Sequence, residues 1–439
     1  MSTETPASIE KLVNLSHLEH ITDDTGIIQF CQGTQPDVSS GYTVDDNARA
    51  LVVAALAYER PTEAEKAARL LHIYLRFLER ARTPSEIFHN WFGPGWTWQD
   101  GPYTEDAVGH AVWALGVVTA CRVPQWVSIR AKQLLRACLP RLKSLRFVRA
   151  KALCAAGIAI YLGGNSCSLP PLQGTGSRRC LPYETHASLP GLSPGLPVCH
   201  PEQTPSHLAD GSVRNRTVDH RNADLYELLT LLADDLVRTF EENSSDCREN
   251  PFHRDCSTLW KWFEDRLTYA NGIMPYSLFC CYAVSGDPRY YRTAVASVNF
   301  LNSVCVDDGR VTLVGNNGWY IRGRSRARFD QQPVDAMWLA LANLAAWEVV
   351  RSERTIRLER SIRPGPSTHT GCLAGSERYA RIARLCREWF LGKNDTGLAL
   401  YDPATGACHD GLKETSINQN CGAESTIAGL MTLMATETV

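Results

Sequence analysis

The sequence predicts an all-α protein, an (α/α)6 toroid in which six helical hairpins close into a ring. Six segments open with polar or aromatic residues and continue into alanine-rich helices that are apolar on most faces, as helices buried on most sides are. Between them lie amphipathic helices with apolar residues at i, i+3, i+4 and i+7, the pattern of surface helices. The pairs recur about every 60 residues, which is typical of a helical-hairpin repeat.

Each element has its own sequence signals. The six buried segments begin, in chain order, at Ser39, Tyr103, Arg146, Trp262, Phe329 and Asn418. The surface helices between them begin at Pro61, Pro124, Asn222, Asp287 and Ser376. Proline near helix starts, and Gly286 and Gly392 after helix ends, mark the boundaries. Sixfold repetition with specialised residues at one end of each repeat favours a closed ring over the alternative, an open helical solenoid.

Two stretches interrupt the repeat. Residues 163–222 lack periodicity and are rich in Ser, Pro, Gly and Cys, and residues 352–376 are similar. Without them the two long gaps shrink to the common spacing, so we expect two irregular insertions in a single toroid domain spanning 1–439. Both are interpreted as surface loops, although a retained intron would have the same composition.

Composition excludes several classes of protein. The formal net charge is −2 and no run of Lys or Arg stands out, so we expect no nucleic-acid partner. The sequence has no stretch of 18 uninterrupted apolar residues, so no membrane-spanning helix is expected. Its first residues lack the features of a signal peptide. We therefore expect a cytoplasmic protein with reduced cysteines. No CxxC motif occurs, and we expect no metal and no cofactor.

The polar openings indicate a functional face. In a toroid the inner helices run parallel, so their amino ends, with free N–H groups and positive dipole ends, share one face. Carboxylates there suit glycoside hydrolysis, which uses one protonated and one ionised carboxyl group. The candidate catalytic residues are Asp46, Glu105, Asp106, Glu264, Asp330 and Glu424.

Amides, carboxylates and aromatic rings together suit sugar binding, because they bind hydroxyl pairs and stack on the C–H-rich faces of sugar rings. Arg49 and Arg322 could also hold an anionic sugar or phosphate. The candidate binding residues are Tyr42, Asp45, Asn47, Arg49, Trp262, Asp265, Tyr269, Asn271, Trp319, Tyr320, Arg322, Gln331, Gln332 and Asn420. Any single opening is explained better by helix capping than by catalysis, and core packing is the alternative explanation of the aromatic residues, so the functional interpretation depends on the whole set.

The motifs "DDTGIIQF…GYTVDDNARAL", "EDAVGHAVWALG", "WFEDRLTYANGIMP", "GNNGWYIRG…FDQQPVDA" and "LYDPATGACHDGL…NQNCGAEST" resemble the six-hairpin glycosidase-like (α/α)6 domain family. The match spans most of residues 15–435. Members occur alone or fused to bacterial glycosyltransferases, which implies an oligosaccharide substrate and a glycosyltransferase as a possible partner. The chain departs from the family pattern at three places. Relatives have the sequence QHA where this chain has QFC at 29–31, GS where it has YT at 103–104, and YDNAR where it has YANGI at 269–273.

These residues support two functions. The first is a carbohydrate-active enzyme that cleaves glycosidic bonds by inverting hydrolysis or phosphorolysis with a carboxylate pair in a central pocket. The alternative is a non-catalytic glycan-binding or accessory domain, which the missing family residues slightly favour. A sugar 2-epimerase would need paired pocket histidines, and only His110 is well placed. A terpene cyclase is excluded because its metal motif is absent.

Overall fold

The computed structural model describes residues 12–84, 87–99, 104–164, 222–244, 260–360 and 369–439, with backbone alone at 353–360 and 369–374. Twelve α-helices and nine strands of two or three residues lie in these ranges. The six inner helices are α2 (Val44–Ala57), α4 (Glu105–Ala120), α6 (Val148–Gly163), α8 (Ile273–Ser285), α10 (Pro333–Arg360) and α12 (Ala423–Ala435). The other helices are α1 (Ser16–His20), α3 (Ala64–Arg80), α5 (Gln125–Leu142), α7 (Ala223–Asn243), α9 (Pro288–Cys305) and α11 (His369–Phe390).

The inner helices form a closed ring. Each packs against the next inner helix along the chain, and α12 packs against α2, so the last repeat meets the first. The outer helices α3, α5, α7, α9 and α11 each pack on the inner helix that precedes them. Short α1, from the other end of the chain, packs on α12. The predicted all-α toroid is confirmed, and the open solenoid is not the fold.

Small residues on the inner helices allow their backbones to approach closely. A Cβ atom on Gly116 of α4 would lie 2.1 Å from the carbonyl oxygen of Gly157 on α6. A Cβ atom on Gly157 would lie 2.4 Å from the carbonyl oxygen of Val112. Real Cβ atoms do not approach backbone atoms this closely, so glycine is required at this crossing.

The second predicted insertion needs correction. Helix α10 continues to Arg360 and α11 begins at His369, so much of 352–376 is helical rather than irregular. A long charged end on an apolar inner helix hid this continuation, because the sequence pattern changes where the helix leaves the core. Of the first predicted insertion, 163–222, residues 165–221 lie outside the described ranges.

Short strands in the loops were not predicted. They are β1 (Cys31–Gln32), β2 (Gln35–Pro36), β3 (Tyr42–Thr43), β4 (Trp91–Gly93), β5 (Thr97–Trp98), β6 (Arg266–Leu267), β7 (Val306–Asp307), β8 (Arg310–Val311) and β9 (Tyr320–Ile321). They pair antiparallel as β1–β2, β3–β4–β5, β6–β9 and β7–β8. Two or three residues are too few to show a twofold apolar alternation, so such strands have no sequence signal. None of the described helices has the length and apolar composition of a membrane-spanning segment.

Candidate functional site

A buried arginine joins three carboxylates where α2 begins. Thr43 caps α2, and Asp45 and Asp46 occupy its first turn. One turn on, Arg49 donates from Nη2 to Oδ1 of Asp46 at 2.8 Å and from Nη1 to Oε2 of Glu424 on α12 at 2.7 Å. Its Nη2 also lies 3.5 Å from Oδ2 of Asp45. The side chain of Glu424 is 46% exposed, so this group of charges reaches the surface.

The two adjacent aspartates have different environments. Burial disfavours the charged form of Asp45, but the Arg49 guanidinium, His110 and hydrogen bonds from Thr43 and the Asp46 backbone together outweigh burial and hold the pKa of Asp45 below its usual value. Burial and the negative charge of Asp45 raise the pKa of Asp46 to about 7, against the attraction of Arg49. Because one carboxylate disfavours ionisation of the other, the pair holds a proton at pH values where an isolated aspartate is fully ionised.

A second buried arginine organises the opposite side of the ring. Arg149, at the start of α6, donates from Nε to the carbonyl oxygen of Tyr269 at 2.9 Å and from Nη2 to Oγ1 of Thr268 at 2.8 Å. Its Nη1 lies 2.9 Å from Oε2 of Glu264. Its guanidinium also lies over the Tyr269 ring, 4.9 Å from the centroid. Arg149 therefore fixes the loop that precedes α8 against α6.

Asp106 connects the two arginine groups. The Tyr269 hydroxyl donates to Oδ2 of Asp106 on α4 at 3.1 Å. Burial raises the pKa of Asp106, the charge of Asp45 adds to this effect, and the Tyr269 hydrogen bond opposes it. Asp45 and Asp106 occupy the first turns of α2 and α4, and these two helices pack against each other.

Asp335, in the first turn of α10, completes the set of acids. Its Oδ1 accepts a hydrogen bond from the Ala270 N–H at 2.6 Å, and its Oδ2 is buried with no hydrogen-bond partner among the described residues. Burial raises the pKa of Asp335 to about 8 against the opposing Ala270 hydrogen bond, and the charge of Glu424 adds to the increase. The Asp335 carboxyl group is therefore largely protonated at pH 7.

His110 lies on α4, one turn beyond Asp106, and is buried. Burial, together with repulsion from Arg49, lowers the pKa of His110 to about 3. The imidazole is therefore neutral at pH 7, and its Nδ1 is buried without a hydrogen-bond partner in the described part of the chain. The described residues contain no group of His, Cys, Asp and Glu side chains arranged to hold a metal ion.

Exposed aromatic side chains occur in the segments that lead into the inner helices. Five aromatic side chains are exposed among the described residues. Phe147 and Tyr269 directly precede inner helices, whereas Phe30 and Trp96 lie in the loop and hairpin next to β3, the strand that leads into α2. Phe147 is the residue that immediately precedes α6. Next to Phe30, the carbonyl oxygen of Gln29 accepts a hydrogen bond from the N–H of Ala423 at the start of α12. The segments that begin the inner helices therefore carry apolar rings as well as carboxylates.

Several candidate residues have structural contacts instead. Glu105 accepts from the N–H groups of Arg146 and Phe147 at 2.7 and 2.8 Å, so its carboxylate caps α6. Asn47 is fully buried and bridges the carbonyl of Thr43 and the N–H of Ile27. The capping interpretation describes Glu105 well.

Among the remaining candidates, some are buried in the core and others are exposed but contact different residues. Trp262 is fully buried against Phe263 and Phe300. Gln331 is also buried and accepts from the N–H of Leu313 and from Nε1 of Trp389. Three other candidates are partly or fully exposed and contact residues outside the group of acids. Asp265 pairs with Arg266, and Tyr320 packs on Trp260. Arg322 donates to the carbonyl oxygen of Asn243.

Six further candidates lie outside the helices, in the segments that connect them. Asn271 is buried and braces the backbone of Thr268, and Asn420 accepts from the N–H of Gly33. Tyr42 is buried and donates to Asp23. Trp319 and Asp330 both have positive φ, 58° and 59°, and Asp330 and Gln332 are partly exposed.

Sequence reasoning missed Arg149. Its only signal is a single arginine at the start of an otherwise apolar inner helix, within "RFVRAKAL". Its partners Glu264, Thr268 and Tyr269 come from the next repeat, more than a hundred residues along the chain. A local pattern therefore could not show what this arginine binds.

No family model and no curated protein matches this chain. Solved structures do match it. A sugar epimerase from a ruminal bacterium has a TM-score of 0.60 at 10% identity, with 99% of each chain covered. A D-mannose isomerase has a TM-score of 0.59 at 12% identity, covering 98% of this chain and 96% of that one. The GH76A α-1,6-mannanase from Salegentibacter sp. HEL1_6 has a TM-score of 0.52 at 11% identity, with 98% of each covered.

Inactive variants of that mannanase, in which two consecutive aspartates are replaced, have been solved in complex with α-1,6-mannotriose and α-1,6-mannotetrose. At these identities the likeness shows the fold alone. The chain therefore has the six-hairpin glycosidase-like (α/α)6 fold, as its motifs suggest.

Proposed function

We propose that this chain is a carbohydrate-active enzyme that hydrolyses a glycosidic bond of an oligosaccharide at the face where the inner helices begin. One observation carries the proposal: four partly exposed carboxylates from four repeats, Asp45, Asp106, Glu264 and Glu424, surround two buried arginines. Carboxylates in such number exceed what capping needs, and they are the groups that bind sugar hydroxyls and transfer protons.

In the proposed mechanism Asp106 is the general acid and Asp45 the general base. The pKa of Asp106 is raised and that of Asp45 is lowered, so one carboxyl group is the better proton donor and the other the better acceptor. Asp106 protonates the oxygen of the leaving sugar, while Asp45 takes a proton from a water molecule that attacks the anomeric carbon from the opposite face. This is the inverting reaction.

The charges of the site favour water over phosphate as the acceptor. Both arginines already hold carboxylates, and the acids around them outnumber them. A phosphate ion would meet repulsion from Asp45 and Glu424, while the guanidinium groups of Arg49 and Arg149 are already paired with carboxylates. Hydrolysis is therefore the proposed reaction, and phosphorolysis is the weaker form of the same hypothesis.

The structural neighbours give independent support. In the inactive variants of the mannanase, two consecutive aspartates are replaced. This chain also has two consecutive aspartates, Asp45 and Asp46, at the start of an inner helix. Those variants also bind α-1,6-linked mannose oligosaccharides. We therefore take α-1,6-manno-oligosaccharides as the first substrates to test.

The test is sugar release from an oligosaccharide panel, with and without phosphate, by the wild-type chain and by Asp45→Asn and Asp106→Asn. Glu65→Gln, an exposed change on α3, is the matched control. We expect release without phosphate, a loss of about 10²-fold or more in kcat for both aspartate variants, and no change in the control. Binding without release, with affinities that fall only modestly in the variants, would instead establish a glycan-binding domain.

A second candidate is sugar epimerisation or isomerisation. Two of the neighbours are a sugar epimerase and a D-mannose isomerase, and neutral His110 on α4 has the protonation state of a general base. The same panel tests this function if free mannose, glucose and cellobiose are included and products are separated by chromatography. A new isomer without cleavage, lost in His110→Gln, would replace hydrolysis as the assigned activity.

A further inference from the structure

An exposed tryptophan lies on the hairpin that packs beside the candidate site. Trp96 is in the turn between β4 and β5, and its side chain is 63% exposed. It is one of few non-glycine residues in the described ranges with positive φ, at 60°. This conformation is unfavourable for a bulky residue, and its surroundings must hold it in place.

The indole is held by aromatic packing on its inner side. It stacks on the ring of Tyr42, with centroids 6.4 Å apart and an interplanar angle of 29°, and it meets the edge of Phe92 at 6.1 Å. The Tyr42 hydroxyl in turn donates to Oδ2 of Asp23 at 2.5 Å. Trp96 therefore presents a rigid apolar ring to solvent, and binding to it would cost little side-chain entropy.

The hairpin is connected directly to the candidate carboxylates. Phe92 of β4 pairs with Tyr42 of β3, and β3 runs without a break into α2, where Asp45 and Asp46 form the first turn. The exposed ring of Phe30 belongs to a segment held next to this hairpin by Ser40. The carbonyl oxygen of Ser40 accepts from Nε1 of Trp91, and its Oγ accepts from the N–H of Phe30. The segments that carry Trp96 and Phe30 therefore both adjoin the chain that leads into the first turn of α2.

We propose that Trp96 is the stacking platform of a distal sugar subsite, which binds a unit of the same oligosaccharide away from the bond that is cleaved. This inference rests on the proposed function and adds a preference to it: the enzyme acts on chains longer than a disaccharide. A flat, exposed indole suits the C–H-rich face of a pyranose ring, and its neighbours in the chain, Gly95 and Thr97, are uncharged.

The experiment measures KM and kcat for linear α-1,6-manno-oligosaccharides and for α-1,4- and β-1,4-gluco-oligosaccharides of two to six units. The variants are Trp96→Ala and Trp96→Phe. The control is Trp126→Ala, because Trp126 is 40% exposed but lies on outer helix α5. We expect Trp96→Ala to raise KM about tenfold for four or more units, with kcat and the disaccharide KM unchanged. Trp96→Phe should recover part of the loss.

The failure of this inference differs from the failure of the proposed function. If wild type cleaves long chains and Trp96→Ala gives the same ratio of long-chain to disaccharide KM, the subsite is refuted and the enzyme assignment stands. If wild type neither cleaves nor binds any member of the panel, both are refuted. A loss of kcat on every substrate in Trp96→Ala, with a lowered melting temperature, would make Trp96 a structural residue and refute the subsite.

Discussion

Arg49 and Glu424 join the first and last inner helices of the ring. Nη1 of Arg49 on α2 donates to Oε2 of Glu424 on α12 at 2.7 Å, across the contact where the toroid closes. The two residues are 375 positions apart in the chain. The same ion pair therefore contributes to ring closure and places a half-exposed carboxylate beside Asp45 and Asp46.

The two members of this pair should differ in their effect on stability. Arg49→Met leaves the buried Asp46 without its cation, so we expect a loss of about 3 kcal/mol in the free energy of unfolding. Glu424→Gln removes a half-exposed partner and keeps an acceptor for Arg49, so we expect about 1 kcal/mol or less. Urea denaturation at pH 7 measures both.

The control for this comparison is Arg69→Met. Arg69 pairs with Glu19 at 3.2 Å on the outer surface and is 51% exposed, so its loss should cost less than about 1 kcal/mol. Equal losses for Arg49→Met and Arg69→Met would contradict the view that Arg49 neutralises buried acids.

Asp335 should make the protein less stable as the pH rises. Its pKa is about 8 in the folded state and near 3.8 in the unfolded chain, so between these values the folded state holds a proton that the unfolded chain has released. Stability that is fully present below pH 4 is lost progressively toward pH 8. In Asp335→Asn this contribution disappears, and the stability profile should be flatter by up to about 1.4 kcal/mol per pH unit.

The measurement is the urea midpoint of wild type and variant at several pH values from 5 to 8. Asn preserves the acceptor for the Ala270 N–H, so the variant should fold. Asp224→Asn, an exposed change on α7, should leave the wild-type slope intact. Parallel profiles for wild type and Asp335→Asn would show that this carboxyl group is ionised in the folded protein.

Glu105 and Asp106 are neighbours in sequence but should differ in role. Glu105→Gln weakens the two hydrogen bonds to the N–H groups that begin α6, and we expect a loss of about 1 kcal/mol in stability. Its kcat on the substrate found in the panel should stay within about threefold of wild type, whereas Asp106→Asn should lose at least about 10²-fold. A similar collapse of kcat in both variants, with stability retained, would return Glu105 to the catalytic set.

Arg149→Lys should loosen the loop that carries Glu264 and Tyr269. Lysine cannot reproduce the three directed contacts of the guanidinium, so amide hydrogen exchange in residues 264–272 should accelerate. Because Tyr269 also binds Asp106, we expect kcat/KM to fall at least about tenfold. The control is Arg238→Lys, on the exposed side of α7. Unchanged amide exchange in residues 264–272 of the Arg149→Lys variant would show that Arg149 does not hold this loop.

The helical periodicity was sufficient to predict the toroid, because burial on every side leaves a clear pattern along each inner helix. It also placed Asp45 and Glu424 on one face, because the amino ends of parallel helices lie together, and both carboxylates contact Arg49. The pattern could not separate Glu105, a cap, from Asp106, whose carboxyl group faces the acids. Both occupy the first turn of α4, and only their partners in other repeats distinguish them.

The sequence by itself determined which segments are inner helices and which polar residues begin them, since both depend on contacts within a turn or two of helix. Only the tertiary structure decided that Arg49 binds Glu424, that Arg149 binds Glu264, and that Trp262 is buried. These outcomes depend on which repeats meet across the ring and on how far each side chain is removed from water. Such distances and burial arise only when the chain closes, so the protonation of the acids is a property of the folded ring.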